Sequence, residues 1–276
     1  MKPLYPALVL CTLIPALLAQ QAHRAFPDDN LGYPVLITVG TSVGSGFYFN
    51  AGTAIYLVTA AHVLYSVPGA ANGPRTLNGS RIDLLSYSGD IADTVPNRVR
   101  VDTAALGEQN IVRHATADIA VVRLFDIAGA GALRTLAGVT VQQGARAGIL
   151  SANREAVARL NDVVVGNDVF LFGYPLSLNL ALQIDPERPL LSKGIIAGVN
   201  RFSHSIILEC PSYPGNSGGS VVEVDTIDAL TRRFRIIGVV DQLIPFADAS
   251  RGFGAANSGY SVIIPMDPAL DLMNVP

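Results

Sequence analysis

The chain is poor in cysteine: Cys11 and Cys210 are the only two among its 276 residues. Exported domains that depend on disulfides carry more, so a disulfide framework is excluded. Cys210 follows the apolar run 206–208, which predicts a buried, inert thiol. Stability must therefore come from burial and hydrogen bonding. Half of the residues are hydrophobic, which is enough for one large domain or two packed lobes.

Charge is also sparse. Charged residues make up 15% of the chain, the net charge is −3, and lysines and arginines form no basic run. This distribution argues against nucleic acid as a partner. Low-complexity tracts and repeats of solenoid length are absent as well, and nothing in the sequence predicts an oligomeric state. The composition is that of an ordinary globular protein.

The sequence has one long uncharged run, at its N-terminus. Lys2 precedes the run Leu4–Leu18, which is shorter than the roughly 20 residues needed to span a bilayer and contains Pro6 and Pro15. A positive start followed by a short apolar run predicts a signal peptide over residues 1–19. An uncleaved anchor or a buried helix is the alternative. We expect an exported protein, periplasmic or secreted, without stable membrane association after cleavage.

The rest of the chain consists of short β-type runs separated by Gly, Asn, Asp and Pro. Strands at this spacing predict an all-β sandwich or barrel. We divide the chain into a first lobe (29–125), a connection (126–160), a second lobe (161–265) and a C-terminal tail (266–276) with a short helix.

Three segments carry chemistry. The segment Pro214–Gly219 places Ser217 among three glycines, which allow unusual dihedrals and close approach of a substrate. His62 ends a β-type run behind two alanines, and Asp118 begins a strongly apolar strand, where a charge is costly unless it is paired. Each residue alone has an ordinary explanation: a hairpin turn, a core histidine, a turn aspartate. Together they predict a catalytic triad.

Chain order separates the known ways of building such a triad. The G-x-S-x-G pattern at 215–219 also matches the elbow of α/β-hydrolases, but no histidine follows Ser217. The subtilisin order requires an aspartate ahead of His62. Only Asp28 and Asp29 precede it, and we expect them to lie in a disordered leader, which argues against that order. The order His62, Asp118, Ser217 is that of chymotrypsin.

The segments LVTAAHV, ADIAVVRL and PGNSGG resemble the three catalytic motifs of trypsin-like serine peptidases. Asn216 makes the third motif similar to the HtrA/Deg-like branch. The resemblance covers about residues 35–265 and leaves no room for a PDZ domain. It implies two six-stranded antiparallel β-barrels with a short C-terminal helix. It also implies a serine endopeptidase that acts on proteins or peptides without a metal or an organic cofactor.

The resemblance assigns roles to single residues. Ser217 is the nucleophile, His62 the base and Asp118 its orienting partner, while the backbone N–H groups of Gly215 and Ser217 form an oxyanion hole. Because Pro211, expected at the base of the primary pocket, carries no charge, we expect a preference for small or apolar side chains. The expected substrate-binding residues are Pro211, Gln242, Leu243 and Gly259.

Asn216 replaces the aspartate that pairs with a newly cut N-terminus in digestive relatives, so we expect activity without such processing. Asp241 lies where the family commonly has a small polar residue. It is predicted to perturb His62, to accept a hydrogen bond or to face solvent. The acidic residues Asp83, Asp90 and Asp93 form a solvated loop or, alternatively, a calcium site.

Other functions stay open. A binding protein of the same fold, an esterase with the same triad and a β-rich domain whose three residues never meet are the alternatives.

Overall fold

The computed structural model describes residues 33–66, 75–90, 93–142, 144, 148–178, 183–227, 231–247 and 255–275. The predicted signal peptide and Cys11 lie outside the described residues. Among the helices within these ranges, none has the length and apolar character needed to cross a membrane.

The first half of the chain forms one curled, mostly antiparallel sheet of ten strands. Its order is β6-β7-β3-β2-β1-β4-β5-β9; β8 adds to β7, and β10 pairs in parallel with β2. The strands are β1 (Pro34–Val39), β2 (Ser42–Asn50), β3 (Ala54–Thr59), β4 (Arg81–Ser86), β5 (Asn97–Asp102), β6 (Ile111–Arg113), β7 (Ala120–Ile127), β8 (Leu133–Thr135), β9 (Val139–Gln142) and β10 (Ala152–Asn153). The helices α1 (Ala61–Leu64) and α2 (Thr103–Leu106) are single turns.

Alternating side chains build this sheet. In β5, Val99 and Val101 are buried while Arg98 and Arg100 point to solvent, as the two-residue period of a strand requires. The buried faces meet in a core that includes Ile37, Tyr48, Leu57, Ile82 and Val122.

The second half forms a closed six-stranded barrel in the order β11-β12-β13-β16-β15-β14. Its strands are β11 (Asp168–Gly173), β12 (Leu190–Asn200), β13 (Ser205–Glu209), β14 (Ser220–Thr226), β15 (Arg232–Ala247) and β16 (Ala255–Pro265), and helix α3 (Asp267–Leu272) follows. Cys210 is fully buried in this lobe, as predicted. Burial raises the pKa of its thiol to about 11, which is consistent with an unreactive cysteine.

The structure confirms an all-β double-barrel fold with a short C-terminal helix, with a difference in the first lobe. That lobe is a curled half-barrel of ten strands, whereas six closed strands are expected. Three short strands, β8, β9 and β10, lie within the predicted connection 126–160 and account for most of the difference; they attach to β7, β5 and β2. β8 is fully exposed, so no apolar pattern in the sequence predicts it.

An apolar seam joins the two sheets. Phe47 and Phe49 of β2 pack with Phe170 and Phe172 of β11 in one buried cluster. The cluster also takes in Met266 beside α3. The two lobes are therefore joined by one buried hydrophobic cluster, in addition to the core that each lobe has of its own.

Candidate active site

His62 lies on α1, directly after β3. Its ring Nδ1 is hydrogen-bonded to Asp118 Oδ2, and its backbone N–H donates to Asp118 Oδ1 at 3.0 Å. The neighbouring Ala61 N–H donates to the Asp118 carbonyl at 3.2 Å. Small side chains at 60 and 61, both fully buried, allow this close approach. One carboxylate thus fixes both the position and the ring orientation of His62, and leaves Nε2 available.

The charges in the cleft favour an ionised pair. Burial would lower the pKa of His62, but the hydrogen bond to Asp118 and the charges of Asp118 and Asp241 outweigh it and raise that pKa. Burial would raise the pKa of Asp118, yet the hydrogen bond and charge of His62 lower it. Arg75 Nη1 lies 3.8 Å from Asp118 Oδ1 and also favours the anion.

The loop that carries Ser217 is held by main-chain hydrogen bonds from both lobes. Ser45 N–H of β2 donates to the Ser217 carbonyl at 2.8 Å, and Gly218 N–H donates to the Val240 carbonyl of β15 at 2.7 Å. Gly218 has φ +83°, and a Cβ there would overlap the carbonyl oxygen of Ser45 and the hydroxyl of Thr59. The glycine is therefore required by both conformation and space.

Two N–H groups of the same loop face no acceptor. Gly215 has φ +102°, and its carbonyl accepts a hydrogen bond from Ser45 Oγ at 2.7 Å. Ser45 Oγ in turn accepts from Tyr174 N–H at 2.9 Å. Within the described part of the chain, the N–H groups of Gly215 and Ser217 donate to no protein acceptor. An oxyanion requires N–H donors that have no other acceptor in the protein.

His62, Asp118 and Ser217 line one cleft of about 490 Å³ between the lobes. The Ser217 hydroxyl is hydrogen-bonded to the Asp241 carbonyl at 3.4 Å and not to His62. Such a long hydrogen bond is weak, and nucleophile–base contacts commonly tighten only when substrate binds.

The structure places the expected substrate-binding residues at different distances from the cleft. Gln242 and Leu243 line the cleft, but Pro211 and Gly259 do not. The cleft is lined instead by Ser212 and Tyr213, which follow Pro211. On either side of Pro211, the Cys210 carbonyl accepts a hydrogen bond from Ser261 Oγ at 2.7 Å and the Ser212 carbonyl accepts one from Asn257 Nδ2 at 2.6 Å. Gly259 has φ +84° and no neighbour within 4 Å of a built Cβ, so it faces open space.

Two functional candidates have little or no sequence signal. Ser45 belongs to a short Gly-Ser-Gly-Phe segment that echoes the family only weakly, although the structure gives its hydroxyl two hydrogen bonds. Arg75 lies in a loop rich in Gly, Ser and Asn, and nothing in that composition predicts a contact with Asp118.

Asp241 lies beside the His62–Asp118 pair. One atom each of His62, Asp118 and Asp241 lie within 4.8 Å of one another, the one such group of His, Cys, Asp or Glu found among the described residues. We assign no metal to it, because His62 and Asp118 are already hydrogen-bonded to each other. The acidic loop holds no such group within its described residues: Asp83 accepts from Arg81 and Arg100 at 2.8 and 3.0 Å.

Two β lobes with a histidine, an aspartate and a serine in the cleft between them define the chymotrypsin type of fold. The trypsin-like peptidase domain family matches residues 44–226, which is more than half of the chain, and the chain belongs to this family.

A solved structure agrees on the fold. The chain is similar to the structure "HtrA-type protease AlgW with tripeptide", with a TM-score of 0.50 and 18% identity over 88% of this chain and 60% of that one. It therefore spans about 60% of the length of that relative. A decapeptide complex of the same protease matches with a TM-score of 0.44, 18% identity, and coverage of 84% and 50% of the two chains. No curated protein matches the sequence significantly.

Proposed function

We propose that the chain is an exported serine endopeptidase that hydrolyses peptide bonds through an acyl-enzyme intermediate. The observation that carries the proposal is the cleft itself. It contains a histidine hydrogen-bonded to an aspartate and a serine on a glycine-rich loop. In that loop, the N–H groups of Gly215 and Ser217 have no acceptor among the described residues.

In the proposed mechanism, Ser217 Oγ attacks the carbonyl carbon of the substrate while His62 Nε2 takes the hydroxyl proton. Asp118 holds the Nδ1–H tautomer and stabilises the imidazolium that forms. The Gly215 and Ser217 N–H groups donate to the negative oxygen of the tetrahedral intermediate. His62 then gives its proton to the leaving amine, and water repeats the sequence on the acyl-enzyme.

The cleft also supports a peptide as substrate and a preference for small or apolar side chains next to the cleaved bond. Val240, Leu243 and Tyr213 give its wall apolar surface. The similar HtrA-type protease has been solved with a tripeptide. Export follows from the predicted signal peptide, which places the enzyme in a periplasm or outside the cell.

The test is covalent labelling by a fluorophosphonate probe, with the labelled residue located by mass spectrometry. We expect labelling of the native chain, none of Ser217→Ala, and native labelling of Ser203→Ala, an exposed serine outside the cleft. Peptides with Ala or Val before the cleaved bond should be hydrolysed faster than peptides with Lys or Arg. Absence of labelling in folded native protein would favour the binding-protein alternative, and turnover of esters without peptides would favour the esterase.

A further inference from the structure

Asp241 is placed at the triad by an irregularity of its strand. The pairing of β15 with β16 shifts register between Val240 and Gln242, so Asp241 is the extra residue of a β-bulge. Bulges bend a strand and redirect one side chain, and they are frequent beside active sites. Here the result is that an Asp241 carboxylate oxygen comes within 4.8 Å of both His62 and Asp118.

Ionising a second carboxyl group at this position costs free energy. Burial and the nearby Asp118 charge raise the pKa of Asp241 to about 6, whereas the charge of His62 lowers it. The group is therefore ionised at neutral and alkaline pH. It then adds a second negative charge beside an imidazole that already has Asp118 as its partner.

We propose that Asp241 is a positioning residue that acts through His62: its carboxylate is a second anion that stabilises the protonated imidazole. The proposal rests on the proposed function, in which His62 is the base. No proton passes to Asp241 in the reaction; its part is to make His62 a stronger base and the transient imidazolium a more stable cation.

The charges around His62 decide whether replacement of Asp241 raises or lowers the pKa of His62. Among the described residues, the charged groups that act on the ring are Asp118 and Asp241, which raise the pKa of His62, and Arg75, which lowers it. Replacing Asp241 by Asn keeps the size and a hydrogen-bonding group but removes one of two anions. The pKa of His62 must then fall, because the protonated form loses a favourable charge.

The experiment is an NMR titration of the imidazole resonances in the full chain, with His62 assigned by its loss in His62→Gln. We expect the midpoint of His62 to fall by about one pH unit in Asp241→Asn, the lower end of the range for a charge at this distance. Asp271→Asn, which removes an exposed carboxylate of α3 outside the cleft, should leave it unchanged. Asp241→Ser is a second variant in case the amide disturbs the bulge. An unchanged or raised midpoint in a folded variant overturns the proposal.

The kinetic counterpart is the pH profile of peptide hydrolysis. His62 must be neutral to accept the serine proton, so kcat/KM of the native chain is lost as pH falls through a pKa raised above 6.5. In Asp241→Asn, the fall of kcat/KM should occur at a lower pH than in the native chain. The plateau of kcat should fall by up to about tenfold, the equivalent of one pKa unit, with KM unchanged. Because the NMR titration needs no activity, it reports on Asp241 even if the native chain fails to label.

Discussion

The Ser45 hydroxyl is a contact through which the first lobe holds the loop that carries the proposed oxyanion hole. Fully buried, it donates to the Gly215 carbonyl at 2.7 Å and accepts from Tyr174 N–H at 2.9 Å. Ser45→Ala leaves the buried Tyr174 N–H without a partner, which costs about 1–3 kcal/mol. The Gly215 carbonyl is only partly buried and regains part of its loss from water. We expect a destabilisation of about 2 kcal/mol, measured by urea unfolding.

The same change should affect turnover. Without the Ser45 hydroxyl, the peptide group between Gly215 and Asn216, which joins the two proposed oxyanion donors, keeps only the hydrogen bond from Asn216 N–H to the Tyr213 carbonyl at 2.9 Å, so the two donors are held less firmly in place. Complete loss of one donor costs about 10²–10³ in kcat, so partial misalignment should cost about 10- to 100-fold with little change in KM.

The control for Ser45 is Ser205→Ala. This serine is also buried, but its hydroxyl bonds only to Ser203 at 2.8 Å, beside the turn between β12 and β13. The Ser205→Ala variant should lose about 1 kcal/mol of its free energy of unfolding and should keep the native kcat. A Ser45→Ala enzyme with native kcat would show that this hydroxyl supports the fold alone, and would refute the argument for the oxyanion hole.

Two further predictions concern the partners of the nucleophile. Asp118→Asn should fold normally but lose about 10⁴-fold in kcat, because the amide favours the wrong tautomer of His62; a loss below about tenfold in steady-state assays would remove Asp118 from the triad. Gly218→Ala should destabilise the chain by more than about 3 kcal/mol in urea unfolding and abolish probe labelling, because a methyl group overlaps the Ser45 carbonyl. A stable, labelled Gly218→Ala protein would contradict the packing described for this loop.

The sequence predicts much of this architecture because its local signals agree with the fold. Alternation such as that of β5 defines a half-buried strand, and the cost of a charge at the head of an apolar strand marks Asp118 as a residue in need of a partner. The structure supplies that partner in His62. The order of three residues along the chain then selects one fold among three that use this chemistry.

What the sequence does not predict depends on displacements of a single residue. The bulge that turns Asp241 toward His62 is a one-residue shift in pairing, and no composition encodes it. The residue at the expected pocket base is another example: Ser212 lines the cleft, and its neighbour Pro211 is not among the lining residues. A one-residue shift along an extended chain reverses the direction of every side chain, so counting from a motif cannot replace the structure.

The site and the fold are coupled through the hydrogen bonds that reach the nucleophile loop from opposite sides. Ser45 of the first sheet holds Ser217, and Val240 of the second barrel holds Gly218. These anchors belong to lobes that are themselves held together by the phenylalanine seam of β2 and β11. The conformation of the loop between Pro214 and Gly219, and with it the geometry of the proposed oxyanion hole, thus depends on hydrogen bonds from both lobes. We therefore expect the activity of the proposed enzyme not to depend on N-terminal processing, because both lobes hold the loop and the buried seam holds the lobes together.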